Sequence, residues 1–152
     1  MKQLLLILAI FFGLTLTAQE SEKENVKNTI TTFFNAFHKQ DTSALKSMVS
    51  YKIVLQSVSI NKEGKTVLRQ DDFNKFITSI ASIPKAKKFE EKLTSFSIQV
   101  DGPMANAWVG YEFWFDGNFS HCGVNSFQLI KENKAWKIIY LVDTRRKEDC
   151  EN

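Results

Sequence analysis

The sequence has little of what breaks or staples a chain. Its 152 residues include 2 Pro and 6 Gly, which excludes collagen-like and proline-rich architectures. There are 2 Cys and 2 His, with no CxxC pair and no Cys/His cluster, so no metal-binding motif is present. Nucleophile elbows and phosphate-binding loops are also missing. Neither sign of charge dominates. The 20 basic and 17 acidic residues leave a formal +3, too little for a dedicated nucleic-acid binder. The one long apolar run, from Leu4 to Phe12 and on through Leu16, is shorter than the ~20 residues of a membrane-spanning helix.

What is present is apolar and aromatic. The chain is 43% hydrophobic and 24% charged, one domain's worth of globular sequence. Thirteen Phe, 3 Trp and 3 Tyr predict a core dense in rings. The apolar run follows Lys2 and ends at Thr17-Ala18-Gln19, with small Ala18 at the cleavage position. Leu16 fits the small-x-small rule loosely. Residues 1–18 therefore read as a signal peptide, and residues 19–152 as one exported domain, periplasmic or secreted, with no membrane span after cleavage. No Cys lies near the end of the run, which argues against lipoprotein processing. Cys122 and Cys150 both fall in the exported part. In an oxidising compartment they are compatible with one disulfide, which would pin the C-terminal tail onto a sheet.

Periodicity supplies the elements. Ser21 and Glu24 read as a capping box. Val26, Ile30, Phe33, Phe34 and Phe37 then recur at helical spacing, predicting a helix over 22–39. Asp41 or Thr42 caps a short helix over 43–48. Residues 51–60 are rich in β-branched side chains and read as a strand. Asn61 to Lys65 is a turn, and Val67-Leu68 a brief returning strand. Asp71-Asp72 caps a third helix with Phe73, Phe76, Ile77 and Ile80 on one stripe, closed before Pro84. Strands follow over 88–100, 105–115, 121–131 and 135–144. Asp116-Gly117 is a two-residue hairpin signal. The fold class is α+β, three helices on one face of an antiparallel sheet.

Two stretches carry a resemblance. One is Ile30-Thr31-Thr32-Phe33-Phe34-Asn35-Ala36-Phe37-His38 with Asp41 and Leu45. The other is Ser120-His121-Cys122-Gly123-Val124-Asn125-Ser126-Phe127-Gln128-Leu129 with Ala135-Trp136-Lys137-Ile138-Ile139. With the element order, they make the chain resemble the NTF2-like superfamily, also called SnoaL-like or ketosteroid-isomerase-like. The second stretch is similar to exported bacterial members of no assigned activity. The resemblance implies a cone, a curved antiparallel sheet wrapped around three helices with an interior pocket. It also implies a homodimer. The superfamily spans isomerases, dehydratases, epoxide hydrolases, cyclases, dimerisation modules and transport adaptors, so fold does not decide function.

Candidate site residues come from strand register. A two-residue turn at Asp116-Gly117 pairs Glu112 with His121, Gly110 with Gly123, and Trp108 with Asn125. Alternation then puts Trp108, Glu112, Trp114, His121 and Asn125 on one face. If the next turn spans four residues, Gly123 faces Asp143 and His121 faces Arg145, which join that face. A one-residue register change would move side chains to the other side. Tyr111 lies opposite, with Cys122, Val124 and Ser126, and lines the pocket if the faces are inverted. His121 with Glu112 or Asp143 is the candidate acid–base pair. Trp108, Trp114, Asn125, Arg145 and Tyr111 are candidate ligand contacts. The same residues also fit a solvated sheet face with cross-strand charge pairs. His38 fits a helix-end role, and Gly110 with Gly123 a bend in the sheet.

Three function classes remain. The first is a non-enzymatic domain binding a small, partly apolar molecule. The second is a cofactor-independent isomerase or dehydratase using His121. The third is a dimerising protein-interaction module. No cofactor, metal or nucleic acid is expected.

Overall fold

The computed structural model describes residues 2–150, with side chains from residue 19 onward. The signal-peptide reading of 1–18 lies outside the described side chains. Among the described residues, no helix is long and apolar enough to cross a membrane.

Helix α1 runs Lys2–Lys39, α2 Thr42–Met48 and α3 Phe73–Ser82. The strands are β1 Val49–Ile60, β2 Thr66–Asp71, β3 Phe89–Asp101, β4 Met104–Phe115, β5 Asn118–Glu132 and β6 Ala135–Thr144. Ser21 is not an N-cap, because the chain is already helical upstream of it. The other two caps form as their sequences predict. Asp41 accepts from Ala44 N–H, and Asp72 from Lys75 N–H, each at 2.9 Å.

The six strands form one sheet in the order β2-β1-β6-β5-β4-β3. The four later strands are an antiparallel meander, as expected. The β1–β6 pair is parallel, so the sheet is mixed rather than wholly antiparallel. Asp116 and Gly117 have φ of 53° and 80°, the two positive values that a tight hairpin of matching twist requires. Register shifts occur near Thr94 in β3, Ser120 in β5 and Ile139 in β6. Each extra residue bends its strand and raises local twist, which curls the sheet.

The three helices lie in the concavity of that sheet. The Phe stripe of α1 points into it. Val26 and Ile30 are fully covered, and Phe33, Phe34 and Phe37 are buried. Phe34 meets Phe33, Phe37 and Phe127 edge-on, the arrangement that ring quadrupoles favour. From the sheet, Val109, Phe127, Leu129 and Ile138 complete this closed end. At the other end of the helix, Gln40 turns the chain with φ 56°. Its side-chain amide donates to Ile80 O at 2.8 Å and Ile83 O at 2.7 Å. This ties the end of α1 to the end of α3, where Ile80 O also accepts from Ile83 N–H. Ile77 and Ile80 are thereby held over the concavity.

Cys122 and Cys150 form a disulfide, with Cα atoms 5.8 Å apart. Beside it, Cys122 and Arg146 exchange both backbone hydrogen bonds at 2.9 Å. The bridge closes a loop of 28 residues, worth about 3.6 kcal/mol through lost entropy of the unfolded chain. Replacing both cysteines by Ser is expected to lower stability by about that amount. Urea denaturation checks this; an unchanged midpoint would show that the tail adds nothing to the folded state.

Candidate functional site

The helices do not fill the concavity completely. A cavity of about 250 Å3 remains at its open end. Its apolar wall is Phe33, Phe34 and Phe37 of α1, Phe76 and Ile80 of α3, Leu55 of β1, Phe113 of β4 and Leu141 of β6. Its polar wall is Gln56 of β1, Asp71 of β2, Glu91 of β3, Tyr111 of β4, His121 and Asn125 of β5, with Asp143 and Arg145 at the end of β6. A wider groove of about 720 Å3 runs along β1 and the start of α3, but it lies open and no buried ionisable group lines it.

The hairpin decides which side chains reach the cavity. The tight turn sets Phe115 opposite Asn118 and Trp114 opposite Phe119. Ser120 then bulges out, and from there Phe113 pairs with His121, Glu112 with Cys122, Tyr111 with Gly123 and Val109 with Asn125. One extra residue flips the face of β4 relative to β5. Trp108, Glu112 and Trp114 therefore lie on the outer face, away from His121 and Asn125. Trp108 is 57% exposed there, and Glu112 accepts from Trp114 Nε1 at 2.9 Å. Tyr111 takes the inner place, the outcome of inverted faces.

The β5–β6 register differs too, with less consequence. The turn at Asn133-Lys134 has two residues, pairing Glu132 with Ala135. The bulge at Ile139 adds the missing step, so Asn125 pairs with Asp143. The pairing moves by two from the Gly123–Asp143 match predicted from sequence, and two steps preserve the face. His121, Asn125, Asp143 and Arg145 are brought together on the inner side. Gly110 and Gly123 do not oppose each other. Gly110 faces Val124, and Gly123 faces Tyr111. A Cβ on Gly123 would meet Thr144 O at 1.8 Å and the Tyr111 ring at 2.9 Å, so this position excludes any side chain.

Hydrogen bonds fix the polar wall. Asn125, 3% exposed, donates from Nδ2 to Glu91 Oε1 at 2.6 Å. Tyr111 donates its hydroxyl to Thr144 O at 2.8 Å, with Asp143 Oδ2 at 3.4 Å. Arg145 Nε donates to Asp143 Oδ2 at 2.7 Å. Behind the wall, His38 Nε2 accepts from Glu91 N–H at 2.8 Å, giving that histidine a backbone-fastening role. Ser120 Oγ lies 3.0 Å from His121 Nδ1, and the His121 ring stacks on Phe113 at 5.0 Å. No hydrogen bond joins His121 to Asp143 among the described residues.

Electrostatics follow from this enclosure. Burial pushes the Glu91 carboxyl up to about 7. The Asn125 bond and the Arg145 charge pull it down; Asp143 adds to the rise. Burial, then Arg145, lowers His121, which favours its neutral ring, while Asp143 acts the other way. Burial, then Asp143, raises the Tyr111 phenol, which stays a donor. Burial likewise lowers His38.

Glu91 was absent from the sequence-derived set. A signal existed: Glu91 sits two residues before Leu93 and shares its inward face. Among the described residues, no group of three His, Cys, Asp or Glu side chains is placed to hold a metal.

Against this geometry, comparison with known proteins is informative. The SnoaL-like domain family matches residues 26–142. The chain belongs to that family. No curated protein matches it in sequence. Solved structures share the fold at low identity. An NTF2-like protein of unknown function from Shewanella baltica OS155 is 13% identical, with TM-score 0.62 over 84% of this chain and 96% of its own. A Streptomyces avermitilis protein, provisionally assigned as a dehydratase of the NTF2-like family, is 14% identical, with TM-score 0.60 over 84% and 97%. A Shewanella frigidimarina protein, provisionally assigned as a ketosteroid isomerase, is 14% identical, with TM-score 0.58 over 78% and 94%. The SnoaL-like assignment fits the cone, the mixed curved sheet and the cavity at its open end.

The raised Glu91 carboxyl couples this SnoaL-like domain's stability to pH. An unfolded Glu releases its proton near the ordinary value of 4.5; the folded one does so near 7. Between these values the folded state holds the extra proton. Stability from this group is therefore greatest below 4.5 and declines as pH rises to 7. Glu91→Gln is expected to gain about 2 kcal/mol on the native protein between pH 5 and pH 8. Urea unfolding of both proteins at the two pH values checks this, and a constant gap would mean that Glu91 is not desolvated.

Proposed function

We propose that this SnoaL-like domain binds a small, partly apolar molecule in the cavity at the open end of the cone. The observation that carries the reading is the two-sided wall. Phe rings cover most of the space, and one side gathers hydrogen-bonding groups already oriented by Asn125, Asp143 and Thr144. That division suits a compact ligand with an apolar body and one polar end. About 250 Å3 is a small site and favours a compact ligand. The apolar leader and the disulfide are compatible with an exported setting.

The test is an NMR screen of the whole chain against small aromatic alcohols and ketones. Amide shifts at Phe113, Asn125 and Leu141 are expected, and a Leu141→Trp variant that fills the cavity should abolish them while keeping the native spectrum elsewhere. Shifts that persist in Leu141→Trp, or none in the native protein, would remove the reading.

One observation favours a second reading, acid–base catalysis of the isomerase or dehydratase kind. A carboxyl held near 7 in an apolar cavity is suited to take and return a proton near neutral pH. The relevant base is Glu91, with neutral His121 and Tyr111 nearby. Glu112 has no part in it, since it faces away. The relatives provisionally assigned as dehydratase and ketosteroid isomerase lend this reading support. It predicts exchange of α-protons into deuterated water for a ketone bound in the cavity, slowed about 100-fold or more in Glu91→Gln. Exchange at the uncatalysed rate in the native protein would leave binding alone.

A further inference from the structure

We infer that the ligand of this cavity is an organic cation, an ammonium group carried on a compact apolar body. The inference rests on the cavity-binding reading above and adds the chemical class.

Three kinds of observation converge on it. The first is charge. The ionisable side chains lining the cavity include three carboxylates, Asp71, Glu91 and Asp143, against one guanidinium, Arg145. Arg145 is engaged with Asp143 at 2.7 Å. Asp71 pairs with Arg69 at 3.3 Å. Among the described residues, Glu91 has no cation of its own, and its carboxyl bonds only the Asn125 amide. Buried charges in proteins are ordinarily paired, and an unpaired one takes a proton or a counter-ion.

The second is hydrogen-bond polarity. Asn125 gives one Nδ2 hydrogen to Glu91 and keeps a second N–H and the Oδ1 acceptor. Tyr111 has turned its proton toward Thr144. The Glu91 carboxylate and Asn125 Oδ1 remain as acceptors suited to an N–H donor, beside the Arg145 Nη groups and the second Asn125 N–H. The third is the opposite wall. Phe33, Phe34, Phe37, Phe76 and Phe113 line the space. Rings with negative faces stabilise a desolvated cation, and aromatic cages with a carboxylate are a known solution for ammonium recognition. A carboxylate ligand would instead meet Glu91 and Asp143 at close range.

The groups facing Glu91 set how binding depends on pH. They are His38 from α1, Tyr111 from β4, His121 and Asn125 from β5, and Asp143 and Arg145 from β6. Burial lowers both histidines; among the described residues Arg145 is the positive charge that pulls Glu91 down, and Asp143 offsets it. Without ligand, Glu91 keeps its proton up to about 7. A bound ammonium replaces that proton, so affinity should rise with pH and level off above 7.

The experiment compares three probes with one ring and different charge: benzylammonium (cationic throughout pH 6–8), benzyl alcohol and benzoate. Affinity is read from cavity amide shifts in the native protein. Benzylammonium should bind most tightly at pH 8, about tenfold more weakly at pH 6, and should release a proton measurable by calorimetry in buffers of different ionisation heat. Glu91→Gln should lose that preference and pH dependence while still binding benzyl alcohol, which reports an intact cavity. Benzyl alcohol or benzoate binding as tightly as benzylammonium at pH 8, or a flat pH profile, would overturn the cation assignment and leave cavity binding standing. If no probe shifts the cavity amides, both readings fall together.

Discussion

A sheet bent this strongly encloses more space than three helices occupy. That geometric surplus governs the molecule. The bulges near Thr94, Ser120 and Ile139 curl the meander. The Phe stripe of α1 then fills the concavity from its closed end, where Val109, Phe127, Leu129 and Ile138 meet it without gaps. Toward the open end the inward positions of β5 and β6 change character. Leu129 and Phe127 give way to Asn125 and His121, and Leu141 to Asp143. Packing continues until the strands stop supplying apolar side chains, and the cavity begins there.

Holding a carboxyl at that boundary is destabilising at neutral pH. Glu91 is enclosed beside rings, with an amide rather than a cation as its partner, so the native state carries it as a proton-bound or strained group. A Gln would satisfy Asn125 without that cost. Sites of function commonly carry such local instability. The rest of the domain offsets it with fully covered aliphatic and aromatic packing, with Gln40 joining the ends of α1 and α3, and with the disulfide.

Much of the fold was legible because it follows from local rules. The α1 stripe, the Asp41 and Asp72 caps and the Asp116-Gly117 turn each rest on a few adjacent residues. The site was legible only in half. His121, Asn125, Asp143 and Arg145 share a face as expected, because a shorter turn and the Ile139 bulge moved the register by an even step. Glu112, Trp108 and Trp114 fell on the wrong side because Ser120 moved it by an odd one. Ser120 is flanked by Phe119 and His121, with no Gly or Pro to announce an extra residue. Glu91 was hidden for another reason. Its strand alternates inward through Phe89, Glu91 and Leu93, but a charged residue between two apolar ones reads as an ordinary polar position until the cavity beside it is seen.

The last piece of the wall depends on Thr144, Val124, Gly123 and the disulfide, none of which lines the cavity. Asp143 and Arg145 lie where β6 runs out, a place where strands ordinarily fray. Here the end is fastened on both sides. Tyr111 donates to Thr144 O, Val124 N–H donates to Thr144 Oγ1, and Cys122 and Arg146 exchange backbone bonds beside the disulfide. These contacts require the Thr144 carbonyl to cross over β5 at close range, which is possible only because Gly123 has no Cβ. A glycine that reads in sequence as a bend is thus the steric condition for the Tyr111–Thr144 contact. Through that contact, and the tail behind it, the charged end of the cavity keeps its shape.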